Sequence, residues 1–206
     1  MLIRHRGAEP TIDPTAYVAP NATLVGNVHV GPNARIMYGA VLDAEGSRVE
    51  VGESAIVAEH AVLRATAVSD EDAPVLIGDH VFVGPHATVL GATIDRCAYL
   101  AAGVTVLQRA RLGAGASVAV GALVHAKTVL PEEYFVPPNT TAIGDPVSVY
   151  SPDQVSEVSA AIRDVGFAAA AFGVTAGWED RIARYERVAE VRSAEFAAHA
   201  DDEVVG

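Results

Sequence analysis

An aliphatic residue recurs every six positions along most of this chain. From Ile12 the series runs through Val18, Leu24, Val30, Ile36 and Leu42, resumes at Val51, Val57 and Leu63, and again at Ile77, Val83 and Val89. One residue is then dropped, and the beat continues through Ile94, Leu100, Val106, Leu112, Val118 and Val124. Four places after each aliphatic the residue is usually small, as at Ala16, Ala22, Ala34, Ala55, Ala87 and Ala116. Gly31, Gly52, Gly78, Gly84 and Gly113 directly follow their aliphatics. This double beat predicts a parallel β-helix, with one short strand and one corner per hexad. Three hexads close a triangular turn, so residues about 18 positions apart lie one rung apart, roughly 4.8 Å.

The coil body is expected from about Ile12 to Leu130, some six turns, with a lead-in strand in residues 1–11. Two insertions interrupt it, Asp43–Glu50 and Ser69–Leu76, and counting by threes puts both at the same corner, after the third face. Loops stacked at one edge of a solenoid mark a working or contact face; the second carries Asp70, Glu71 and Asp72, which otherwise reads as a solvated acidic tip. Leu130-Pro131-Glu132-Glu133 leaves the coil, and Pro137–Thr141 and Gly144-Asp145-Pro146 form an extended connection. The division is a β-helix domain over 1–146 and a helical appendage over 147–206. Ser151-Pro152-Asp153-Gln154 reads as a helix start with a capping box. Val155, Val158, Ile162 and Val165 form its apolar stripe, and the Gly173–Gly177 stretch ends it. A second helix is expected from about Trp178 to about His199, with Ile182, Tyr185, Val188 and Val191 on one face to pack on a coil, its own or a neighbour's. The tail Asp201–Gly206 is expected to fray.

Composition narrows the partners. Half of the 206 residues are hydrophobic, enough for a substantial core, and the formal charge of −12 argues against a nucleic-acid binder. No signal-peptide h-region follows Arg4, His5 and Arg6, and no stretch reaches the roughly 20 apolar residues of a membrane span. The single Cys97 excludes an internal disulfide and makes a reducing, cytoplasmic setting the default; Cys97 itself reads as a small packed side chain.

Four segments carry a resemblance to a known family. They are Ile12-Asp13-Pro14-Thr15-Ala16-Tyr17-Val18-Ala19-Pro20, Met37-Tyr38-Gly39-Ala40-Val41-Leu42, Val75-Leu76-Ile77-Gly78-Asp79-His80-Val81-Phe82-Val83-Gly84, and Ala142-Ile143-Gly144-Asp145-Pro146. Over about residues 3–150 the chain resembles the γ-class carbonic anhydrases, a hexapeptide-repeat family whose coils wind left-handed. The resemblance implies a homotrimer with zinc at each interface, held by two histidines of one chain and one of its neighbour, making hydroxide to hydrate carbon dioxide. The residues here depart from that pattern. The first ligand position, after Ile56-Val57-Ala58-Glu59, is Arg64; the second is Pro85; the third is Leu90. None of the three binds zinc, which takes imidazole, thiolate or carboxylate. The family's Leu-Arg-Gly-Asp reads Leu42-Asp43-Ala44-Glu45, and its catalytic-site Gln is Ala58.

Register suggests what stands in the zinc's place. Asp43, Arg64 and Leu90 share one position on successive turns, with Glu45 and Glu59 expected nearby. A guanidinium among carboxylates keeps a positive charge there and can grip bidentately. As structure this is an ion-pair lock for a trimer; as function it is a small-anion or carboxylate pocket. His60 and His86 stack one rung apart and, with a group from a neighbouring chain, would make a relocated zinc site for a hydro-lyase. His125 shares the face of Arg64 and is the candidate general base of an acyltransferase reading. His80 lies beside a corner, and His5, His29 and His199 carry no visible constellation. The main expectation is a trimeric scaffold, ligand-binding protein or altered-chemistry enzyme lacking the three-histidine site and needing no cofactor.

Overall fold

The inward aliphatics and alanines do what the beat requires: Leu24, Ile36, Leu42, Val57, Leu63, Val89, Leu100 and Val118, with the alanines between them, are fully buried along the axis. Each full-size aliphatic removed from water contributes about 1.5–3 kcal/mol, and the stack of them makes one continuous core. The computed structural model describes residues 1–66, 72–175 and 179–206. Ser69, Asp70, Glu71, Gly177 and Trp178, named above, lie outside the described residues.

Three parallel ladders form the faces of a left-handed coil. Face 1 has seven strands, from Thr11–Ile12 to Val129–Leu130, and face 2 has seven, from Tyr17–Val18 to Phe135–Val136. Face 3 runs from Leu2–Arg4 through Thr23–Val25, Val41–Asp43, Val62–Arg64, Thr88–Leu90, Thr105–Val106 and Leu123–Val124 to Thr141–Ile143. The coil is thus longer than the expected six turns. The segment read as an exit connection still delivers buried Val136 and Ala142 on the six-residue beat, with Pro137 and Pro138 placed between them. Both insertions connect face 3 to face 1, as the count by threes requires, and Arg48 of the first loop stands 3.9 Å from Asp72 of the second.

Glycine serves this coil in an unexpected way. At Gly52, Gly78 and Gly113 an added Cβ would lie 2.6–2.7 Å from the adjoining rung, so these glycines permit close stacking of successive corners. The left-handed corner conformation itself is taken by other residues too, including His60, His80, His86 and Cys97, with φ of 57 to 59°. Cys97 is therefore exposed at a corner, not packed, because the corner position points its side chain away from the axis.

The appendage differs in detail. Ser151–Gln154 forms a turn, in which the Gln154 side chain accepts from the Ser151 N–H at 2.9 Å, and helix α1 (Val155–Val165) starts after it. Gly166 turns left-handed at φ 64° and splits off α2 (Phe167–Phe172). Helix α3 (Arg181–Phe196) is followed by a 3-10 turn, Ala197–Asp201. So, among the described residues, three α-helices stand where two were expected. The predicted stripe on α3 divides: Ile182 and Tyr185 are exposed and Val188 and Val191 half-buried, while Arg184 and Glu195 are buried. Nor does the tail fray. Glu203–Val204 pairs antiparallel with Leu2–Arg4, which supplies the backbone partners a free end lacks.

Candidate functional site

Face 3 carries an outward column that the register fixes: Arg64 pairs with Asp43 below and Leu90 above. Arg64 Nη2 stands 3.0 Å from Asp43 and its Nε 3.5 Å from Glu45. The Glu45 N–H donates to Asp43 Oδ1 at 3.0 Å, so the first loop turns Glu45 back toward the column. Asp43 and Glu45 are both buried.

The appendage closes over this column. The Phe196 ring at the end of α3 lies under two guanidiniums, Arg64 at 5.3 Å and Arg192 at 4.2 Å. Arg192 pairs with Glu195 one turn on and reaches to 3.7 Å of Glu45. Arg64, Arg192, Thr66, Gln108 and Leu90 then line a chamber of about 160 Å³ roofed by Phe167 and Phe172 of α2. Thr66 and Gln108 are buried, and the Gln108 Oε1 has no hydrogen-bond partner.

Next to it the chain's two ends meet. The Asp202 carboxylate is bound by two imidazoles, His5 Nδ1 at 2.6 Å and His199 Nδ1 at 2.9 Å. The rings stack with centroids 4.3 Å apart, and His199 Nε2 stands 3.5 Å from Glu45. Burial opposes a charge on His199, yet the Asp202 hydrogen bond and the carboxylates of Asp43, Glu45 and Asp202 prevail and raise its pKa. Burial pushes Asp202 up, but hydrogen bonds from His199 and His5 outweigh it and hold its carboxyl below the usual range. His5 and His199 had shown no constellation in the sequence. Only the folding of an aperiodic tail onto the first rung joins them, and no spacing rule encodes that.

The remaining candidates scatter. Glu59 and Pro85 do not approach Arg64; they line an open groove of about 640 Å³ on face 2 with Tyr17, Arg35, Met37 and Phe82. The corner turns them to the other face. His60 and His86 stack at 5.3 Å on exposed corners, and a methyl group at Gly39 would lie 2.4 Å from the His60 ring. Among the described residues, three metal-donor side chains converge at His5, Glu45 and His199, not at His60 and His86. His125 is buried behind Phe167, ring centroids 5.4 Å apart, and burial lowers its pKa.

Comparison with known proteins agrees with the motifs. The chain is 33% identical over 138 residues to mitochondrial gamma carbonic anhydrase 2 of Arabidopsis thaliana, covering 63% of this chain and 50% of that one. It is 39% identical over 98 residues to mitochondrial gamma carbonic anhydrase 3 of the same plant, covering 47% and 38%. A carbonic anhydrase of Geobacillus kaustophilus is 26% identical over 149 residues, covering 72% and 76%. The curated homologues are thus γ carbonic anhydrases and γ-carbonic-anhydrase-like proteins, and the chain spans about half or less of the length of the Arabidopsis relatives. No family model matches. A crystal structure of a hexapeptide transferase family protein from Anaplasma phagocytophilum aligns over 93% of this chain and 96% of its own, with TM-score 0.59 and 22% identity. It supports the coil fold alone. No helix among the described residues is long and apolar enough to cross a membrane.

Proposed function

We infer that this chain is a γ-carbonic-anhydrase-like trimer in which the family's zinc position has given way to a small-anion chamber. The observation that carries the reading is Arg64 beside Arg192 in a pocket of about 160 Å³ with Thr66 and Gln108. That volume equals about five waters at roughly 30 Å³ each, the scale of acetate or bicarbonate. The carboxylates Asp43 and Glu45 sit against the guanidiniums and temper their charge, so binding is expected near the millimolar range, about −4 kcal/mol. The Phe167 and Phe172 roof favours an anion with a short apolar part.

Trimer formation is supported by the face 2 column, where Tyr17, Tyr99 and Phe135 are exposed and Phe82 stacks on Tyr99 at 5.2 Å, and by the outward Ile182 and Tyr185 of α3. The lone cysteine favours a cytoplasmic, reducing setting. Classical carbon dioxide hydration is not proposed, since Arg64, Pro85 and Leu90 bring no zinc donor to the family's position. The acyltransferase reading is less supported, because Phe167 of the same chain covers His125.

The test is calorimetric titration with acetate, bicarbonate and benzoate at constant ionic strength. Saturable binding lost in Arg192→Ala supports the chamber. No binding of any of the three, with Arg64→Ala lowering stability only, would reduce the protein to a scaffold.

A further inference from the structure

The meeting of the chain ends goes beyond an ion-pair lock. Glu45 is the anomaly. Its side chain is 0% exposed, and neither carboxylate oxygen has a hydrogen-bond partner. A wholly buried carboxylate without hydrogen bonds is costly, and the usual remedies are a hydrogen-bonded cation or a metal. Arg64, Arg192 and His199 approach only to 3.5–3.7 Å, outside hydrogen-bond geometry.

The two imidazoles share one orienting carboxylate, but their planes stack 21° apart with centroids 4.3 Å apart, so one ring must tilt for both to face a single ion. Asp202 engages Nδ1 of both His5 and His199, so in the neutral rings Nδ1 carries the proton and Nε2 the lone pair. That is the orienting role carboxylates take behind metal-bound histidines. An ion at His199 must displace the proton that its raised pKa favours. The separation of 3.5 Å between His199 Nε2 and Glu45 Oε2 is close to the edge of a coordination tetrahedron, about 3.4 Å for metal–donor bonds near 2.1 Å. The three donor atoms lie within 4.8 Å of one another. Against ligation stands Arg6, whose Nε donates to His5 Nε2 at 3.2 Å. Its Nη2 also donates to the Glu195 carbonyl at 3.3 Å, so ligation requires this exposed side chain to leave both partners.

We propose that His5, Glu45 and His199 bind a divalent transition-metal ion of the zinc class, with Asp202 orienting the two imidazoles. Two nitrogens and one carboxylate oxygen leave a fourth position for water. The site would tie the first rung, the first loop and the tail together, and through Glu45 it adjoins the guanidiniums of the anion chamber without depending on anion binding there.

The test uses the full chain, stripped with chelator and titrated with cobalt(II) and then zinc(II). Expected are one ion per chain, cobalt d–d absorption of the strength given by four-coordinate sites, and displacement of cobalt by zinc. His199→Gln, at a partly exposed position, should weaken binding at least tenfold, as should Asp202→Asn to a smaller degree, while a His60→Gln, His86→Gln double variant should bind like the parent. Glu45→Gln is a second donor variant, read by circular dichroism as well as metal content. Stoichiometric binding that survives His199→Gln but is lost in the His60, His86 double variant would overturn the proposal. So would the absence of metal binding in a folded parent at micromolar free ion.

Discussion

Phe196, the last residue of α3, stands under the Arg64 guanidinium 5.3 Å away, so the helical appendage is fastened onto the outward column of face 3. Phe196→Ala removes this contact and that with Arg192. Cation–π pairs of this kind contribute about 0.5–2 kcal/mol each. The variant is expected to lose roughly 1–2 kcal/mol and to show faster amide exchange across residues 181–204, with the coil unaffected; hydrogen exchange by mass spectrometry reads both.

Arg64→Ala should be costly because it leaves Asp43 and Glu45 buried with less compensation. Breaking a buried pair costs about 3–5 kcal/mol, and the one-third exposure of Arg64 brings the expectation down to roughly 2–3 kcal/mol. Adding Glu45→Gln should recover about 1 kcal/mol, since it removes one stranded charge. Denaturant melts of the two variants decide this; equal loss in both would show that Glu45 does not feel Arg64.

If face 2 is the trimer contact, a charge placed in its apolar column should break the assembly. Phe82→Asp and Tyr99→Asp lie on neighbouring rungs of that face with outward side chains, so the coil core is spared. Light scattering should find one chain's mass in place of three. A trimer that persists in both variants would direct attention to Ile182 and Tyr185 of α3.

The pH dependence should carry a signature of His125. Burial lowers its folded-state pKa, so as pH falls through the unfolded value of about 6.5 the unfolded chain takes up a proton that the folded chain resists. Its contribution is therefore intact above about pH 6.5 and is lost progressively below it. His125→Leu should flatten the decline in stability between about pH 6.5 and 5, read as a smaller fall in melting temperature than the parent shows.

The coil was legible because its information is local. Each inward aliphatic declares its own position, and the register that joins Arg64 to Asp43 and Leu90 follows from counting. Glu45 was placed near Arg64 by its short distance along the chain from Asp43, whereas Glu59, five residues before Arg64, turns the corner onto face 2. His5, His199, Asp202 and Arg192 were not legible as a group. Their proximity depends on where an aperiodic tail returns to the coil, and Glu203–Val204 decides that by pairing with Leu2–Arg4. The outward Ile182 and Tyr185 follow a related logic: an apolar stripe shows that a helix packs, not upon whom.

That same returning strand has a counterpart at the opposite end, where Ser148–Tyr150 runs antiparallel to Thr141–Ile143. The parallel ladder of face 3 is thus bracketed at top and bottom by strands of reversed direction. A solenoid with bare terminal rungs is a template on which another solenoid can dock end to end and grow into a fibre. Here an arriving coil would meet short strands of two or three residues running against its own polarity. On face 3, strand addition along the axis is therefore frustrated at both poles.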